Sequence, residues 1–233
     1  TETQTQTQTQ PPTRQPIPAG ARIGHVHLKV ADLDRAVRFY RDLMGFDLVA
    51  RMGAQAAFLS AGGYHHHLGL NTWESAGGSP PPVGTTGLYH FAVNYPTRRD
   101  LAVALRRLVE AGWPIGGASD HGTHEAIYLA DPDGNGIELA WDRDPAEWPR
   151  QDGHLAFVTL PLDLEGLLAE AADPDEGTCA SVDPLLDRIF QFGRYNLYTL
   201  FDEAGTWKQF EDLARRLHEQ GIRTPQVIDL SGW

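Results

Sequence analysis

The chain repeats itself, and the repeat limits its fold more than any other feature. IGHVHLKV, starting at Ile23, alternates with period two, putting Val26, Leu28 and Val30 on one side of a strand and His25, His27 and Lys29 on the other. Asp32 then caps a helix whose apolar positions Leu33, Val37, Tyr40 and Met44 follow helical spacing, and Gly45 ends it. Three strands follow, around DLVARM, AAFLSAG and HHLGLNTW. The Gly-, Pro- and Ser-rich loop ESAGGSPPPVGTTG marks a boundary, after which the same order begins again. LYHFAVNY is a strand, Thr97 a cap, and Leu101, Leu105, Leu108 and Ala111 a helix stripe stopped by Gly112. A poorly defined strand near Trp113 to Ser119, the strand EAIYLA, the turn DPDGNG and the strand IELAWD complete the second copy. His25 and His90 stand 65 residues apart at the same place in the two copies, and Gly45 and Gly112 agree within two residues. An internal duplication of a β-α-β-β-β unit explains this most simply.

The expected fold class is therefore α+β, built from paired βαβββ modules: module one over 21–75 and module two over 86–149. Residues 1–20 are polar, repetitive and proline-containing, and are expected to form a disordered tail. Residues 150–233 form an acidic extension expected to be mainly helical, through PLDLEGLLAEAA, Asp183–Tyr195 and Trp207–Gln220. The net charge of −12 is concentrated there, with 6 basic against 15 acidic residues beyond Arg150. Such a balance repels phosphate backbones, so nucleic acid is not an expected partner. No window is apolar enough to span a membrane, and the start lacks the basic and apolar regions of a secretory signal, so a cytoplasmic location is expected. The single cysteine, Cys179, allows no intrachain disulfide or thiolate cluster and reads as structural.

Eight of the ten histidines fall between His25 and His124, in the nearly neutral part of the chain. Strand alternation sorts them by face. In the second module Tyr89, Phe91, Val93 and Tyr95 mark the packed face, leaving His90, Ala92 and Asn94 opposite. In the last strand Ile137, Leu139 and Trp141 pack, leaving Glu138, and Tyr128 joins it because Ile127 and Leu129 take the other side. His25, His90 and Glu138 are thus expected on one concave face. Two imidazoles and a carboxylate form the set that holds Fe(II), or Mn(II), with neighbouring coordination positions open. Taken singly, each also reads as a hydrogen-bonded or solvated strand residue.

The starts IGHVHLKVADLDRAVRFYRDLMGF and GLYHFAVNYP, together with the end YLADPDGNGIEL, resemble the vicinal oxygen chelate superfamily, and within it the extradiol catechol 2,3-dioxygenases. The likeness covers about residues 21–149; the final motif is specific, whereas the DLDRAVRFY helix is common to the whole superfamily. The resemblance implies a non-haem Fe(II) enzyme that opens a catechol-type ring with dioxygen, with His25, His90 and Glu138 at the metal-ligand positions. A tyrosine ten residues before the glutamate, which binds a substrate oxygen in that family, corresponds to Tyr128. The histidine of an HG pair, which helps hold bound oxygen species, corresponds to His121, at a shorter spacing from the tyrosine than in some relatives. An acid/base histidine lies in the region of His65, His66 and His67. Alternation from Leu68 and Leu70 turns His67 to the cleft, so the role is assigned to His67, with His66 as the fallback. A solvated strand start and a fourth ligand are the other readings of His67. His124 reads as a loop or strand-surface residue, His27 has no role to inherit, and His154 and His218 read as solvated.

Two other readings stay open at this level. Glyoxalase-like lyase or transferase chemistry would want a carboxylate on the fourth strand of module one, where this chain has histidines and Glu74 only beyond them. A metal-free protein that sequesters a small molecule would have no need of His25, His90 and Glu138 together. Most extradiol enzymes of this type carry a further pair of modules, whereas one pair plus an unmatched tail of about 85 residues is read here, and a homo-oligomer is expected by analogy alone.

Overall fold

The structure, a computed structural model, describes residues 15–171. The expected helices over 183–195 and 207–220, Cys179, His218 and the first 14 residues lie outside them. Module one runs β1 (Val26–Lys29), α1 (Leu33–Arg38), β2 (Asp47–Met52), β3 (Ala56–Ser60) and β4 (Leu68–Asn71). Module two runs β5 (Phe91–Asn94), α2 (Arg98–Glu110), β6 (Ile115–Asp120), β7 (His124–Ala130) and β8 (Gly136–Asp142). Each forms its own four-stranded mixed sheet, in the orders β1-β4-β3-β2 and β5-β8-β7-β6. β1 is parallel to β4 and β5 to β8, while the other neighbours are antiparallel. The fold is α+β with two equivalent βαβββ units, and their sheets are separate rather than one continuous concave surface.

Local chemistry accounts for the helices. The Asp32 carboxylate accepts from the Arg35 amide at 2.9 Å and the Thr97 hydroxyl from the Asp100 amide at 3.1 Å, each satisfying a donor that the first turn leaves unpaired. The first helix is shorter than its spacing predicts. After Arg38 it widens into a π-type turn over Phe39–Leu43, with the Met44 amide on the Phe39 carbonyl and the Phe46 amide on that of Tyr40. The wider turn lets two adjacent aromatics point inward: Phe39 packs 4.7 Å from Trp113, and Tyr40, fully buried, reaches Asp131. Gly45 stops the helix at φ 88°, where a Cβ would also strike the Arg107 guanidinium.

One apolar cluster joins the modules, with Leu28, Val30, Leu59, Leu68 and Leu70 from one and Leu101, Leu105, Ile127, Ile137 and Leu139 from the other. Each such side chain contributes about 1.5–3 kcal/mol relative to exposure. Polar contacts fix how the modules meet. Tyr40 donates to Asp131 Oδ2 at 2.9 Å, while the other oxygen of Asp131 receives the amides of Asp133 and Asn135, closing the DPDGNG turn. Asp133 receives the Ala31 amide and the Arg35 guanidinium of module one.

The structure revises three expectations and adds a hairpin to the extension. Tyr89 is 66% exposed rather than packed, because β5 begins only at Phe91. His65, His66 and His67 lie in the loop before β4, since Gly62 and Gly63 take positive φ and delay the strand. The ill-defined strand after Trp113 is β6, displaced to Ile115–Asp120. The extension does not start as helix: β9 (Arg150–Gln151) and β10 (His154–Leu155) form a hairpin around Asp152 and Gly153, both at positive φ as an Asp-Gly turn favours. An irregular strap then pairs Leu160 with Asp120, and α3 (Leu164–Glu170) follows, within the expected PLDLEGLLAEAA helix.

Candidate active site

Module two brings five polar side chains together. Glu138 sits on β8 opposite Tyr128 of β7, and the β5 residue Ala92 is in register with it on the other side, so His90, just before β5, is one step from the carboxylate. Close approach of β8 to the start of β5 requires Gly136, where a Cβ would collide with the Tyr89 carbonyl. His90 Nε2 lies 2.9 Å from Glu138 Oε2, and His124 Nε2 lies 3.0 Å from Glu138 Oε1. His121 Nε2 lies 2.8 Å from the Tyr128 hydroxyl.

The partners define the protons. His121 Nδ1 faces the Val158 carbonyl at 2.9 Å, and a carbonyl only accepts, so Nδ1 carries hydrogen. In the neutral ring Nε2 is then an acceptor, and the Tyr128 hydroxyl donates to it. Burial first, and then the Glu138 charge, raises the Tyr128 pKa well above its usual value, so the phenol stays protonated. Glu138 is 7% exposed. Burial would push its pKa up, but the hydrogen bond from His124, with the pull of the His124, His90 and His121 imidazoles when they are protonated, outweighs that and holds it below the usual range.

Module one gathers a second group. His25 is exposed and its ring lies 4.5 Å from that of His66 and 6.5 Å from that of His65. His65 and His66 approach Nδ1 to Nδ1 at 2.8 Å, and Phe58 packs 5.1 Å from the His66 ring. Burial, then the neighbouring His25 and His65, depresses the His66 pKa. His67 turns away from this group. Its Nδ1 receives the Ala61 amide at 3.3 Å, approaches Ser60 Oγ at 3.1 Å, and its ring packs on Tyr64. It lines a cleft of about 410 Å³ with Arg22, Ile23, Gly24, Ala61, Gly62 and Tyr64. His27 packs beside Trp73 instead.

The expected site residues thus form two sets: His90, His121, Tyr128 and Glu138 in module two, and His25 with His66 in module one. Among the described residues no group of three or more His, Cys, Asp or Glu side chains stands ready around one metal position. Two participants were not singled out from the sequence. His124 shares a face with Tyr128, four residues on, so alternation along β7 carried a signal for it. The Val158 carbonyl that orients His121 is a backbone acceptor and leaves no trace in residue type. Glu74 lies beyond the end of β4 and ion-pairs with Lys29 at 2.6 Å on an exposed surface.

The sequence pattern of the Glyoxalase/Bleomycin resistance protein/Dioxygenase superfamily matches residues 22–139, the span of both modules. The chain belongs to that superfamily. Within it, the chain is 43% identical over 152 residues to a catechol-2,3-dioxygenase of Bacillus subtilis (strain 168), covering 65% of this chain and 52% of the relative. It is 31% identical over 121 residues to biphenyl-2,3-diol 1,2-dioxygenase 3 of Rhodococcus globerulus, covering 52% and 63%. The matched region therefore spans between half and two thirds of these superfamily relatives. A crystal structure of a glyoxalase/dioxygenase from Nostoc punctiforme aligns at TM-score 0.48 and 20% identity, covering 57% of this chain and 99% of that one. Among the described residues no helix is long and apolar enough to cross a membrane.

Proposed function

We propose that this chain is an extradiol dioxygenase that opens the ring of a catechol-type substrate with dioxygen, using Fe(II), with Mn(II) as the other admissible ion. The observation that carries the reading is the His90–Glu138 pair beside the Tyr128–His121 pair, supported by 43% identity to the Bacillus subtilis catechol-2,3-dioxygenase. The separation of His90 and Glu138 is compatible with the metal. Two ligands at right angles on one ion, each about 2.1 Å from it, stand about 3 Å apart. His90 Nε2 and Glu138 Oε2 stand at 2.9 Å. His90 and Glu138 would hold the ion, with His25 as the third ligand.

Bound Fe(II) supplies Lewis acidity and an electron path between the aromatic ring and dioxygen. The rest is the work of the chain. Tyr128 donates its hydrogen bond to His121 and keeps its proton, so the free lone pairs of its oxygen are placed to accept from a catechol hydroxyl and orient it. His121, locked by the Val158 carbonyl, presents a basic nitrogen to Tyr128 and nowhere else in its resting form. The acid/base role assigned to His67 passes better to His66. Nδ1 is engaged in both, by Ala61 and Ser60 in His67 and by His65 in His66, but the His66 ring lies 4.5 Å from that of His25, the proposed third ligand, whereas His67 packs on Tyr64.

Anaerobic loading with Fe(II), followed by air and a panel of plain, carboxylated and alkylated catechols, tests the reading. The expected result is oxygen uptake with the visible absorbance of a ring-opened semialdehyde. No uptake across the panel, with metal bound, would exclude it.

A further inference from the structure

We infer that His124 is a positioning residue for Glu138, one that holds the carboxylate to a single metal-facing oxygen; the inference rests on the metal-dependent reading above. The two oxygens of Glu138 are divided between two imidazoles, with Oε2 2.9 Å from His90 and Oε1 3.0 Å from His124. A carboxylate accepts only, so His124 Nε2 carries the hydrogen. Its other nitrogen, Nδ1, stands 2.8 Å from the hydroxyl of the buried Thr123, a group able to donate to it or accept from it. Both ends of the His124 ring are therefore engaged, and the His121 ring packs against it with centroids 4.8 Å apart.

Sequence makes this reach feasible. Between the Tyr128–Glu138 and His124–Asp142 register pairs stands the pair Ala126–Ala140, both buried and small enough for Glu138 and His124 to meet above them. His124 sits on the far oxygen from His90, so an ion bound through the oxygen that faces His90 would leave His124 holding the other one. A carboxylate with both oxygens free binds a cation through one or both of them. One whose second oxygen is tied by an N–H donor takes a single coordination position and leaves more of them for substrate. Groups that hold a liganding carboxylate typically account for 10–100-fold in metal affinity.

Binding of Mn(II) and Co(II) to the full chain, measured by chelator competition, and the visible spectrum of the Co(II) form test the inference. His124→Ala is expected to weaken both ions about 10–100-fold and to alter the Co(II) bands as the carboxylate gains a second contact. His124→Gln, which keeps an N–H donor, is expected to return affinity to within a few-fold and to restore the spectrum. Thermal unfolding of the metal-free variants establishes that each is folded. A folded Ala variant with wild-type affinity and spectrum, or a folded Gln variant no better than Ala, would overturn the inference and leave the metal-dependent reading intact. Failure of the wild-type chain to bind either ion would overturn that reading and this inference with it.

Discussion

Tyr128 and His121 show how little room the site leaves for alternative protonation. The Val158 carbonyl fixes one nitrogen of His121, and burial beside Glu138 keeps Tyr128 a phenol, so the hydrogen between them belongs to the tyrosine. Tyr128→Phe deletes that hydroxyl without touching a metal ligand. Its expected effect is a fall in kcat of about 10–100-fold for catechol cleavage with Mn(II) affinity within two-fold of wild type, read by steady-state kinetics and chelator competition. At this scale the sequence was most informative where residue type and strand face agreed, as for His90, Tyr128 and Glu138. It assigned His124 no role, although alternation puts it on the face of Tyr128, because a histidine near a loop has many uses and its contact with Glu138 depends on that carboxylate leaning across two alanines, a direction that period two does not encode.

At the scale of elements, β6 and the strap after β10 carry the fixed geometry of His121. The Asp120 carboxylate takes the Arg143 guanidinium through both oxygens and also receives the Gly122 amide, and Arg143 continues to the buried Glu125, which Arg98 shares with Glu170 of α3. Burial works against the Asp120 charge, but Arg143 and the Gly122 amide outweigh it, so its pKa falls below 3.8. A carboxyl lowered on folding stabilises the fold above its unfolded pKa and loses that contribution as pH falls through the folded one. Asp120→Asn is accordingly expected to cost about 1 kcal/mol at pH 7, discounted for partial exposure, and to converge with wild type in urea unfolding as pH falls through the folded pKa. Gly122, at φ 73°, packs on Pro149 and Val158. Gly122→Ala strains the backbone and presses on the strap, and should lower thermal stability by about 1–3 kcal/mol and cleavage rate together. Most strands of the two modules and the caps Asp32 and Thr97 were legible in the sequence because alternation and capping are local, whereas the β9–β10 hairpin and the limits of β4, β5 and β6 were not. The π-type turn was not, since it answers to the distant partners of Phe39 and Tyr40, Trp113 and Asp131.

For the molecule as a whole, duplication was readable from the spacing of His25 and His90, yet the relation between the modules was not. Neither module's periodicity contains it; it depends on contacts such as Tyr40 with Asp131 and Arg35 with Asp133, between residues 91 and 98 positions apart. That is why face and repeat position could nominate His25, His90 and Glu138 as one set while the structure groups His25 with His65 and His66. The two halves of the nominated set make different predictions. Glu138 and His90 already stand at the separation of two ligands on one ion, so Glu138→Ala is expected to abolish measurable Mn(II) binding. His25 belongs to the other module, so its contribution tests the union of the modules around one ion. If it is the third ligand, His25→Ala should weaken Mn(II) binding by about 100-fold, near 2.7 kcal/mol, and remove turnover, while unfolding of the metal-free protein changes little because the side chain is exposed. Wild-type Mn(II) affinity in His25→Ala would confine the metal centre to module two and leave His25 as a neighbour of His66.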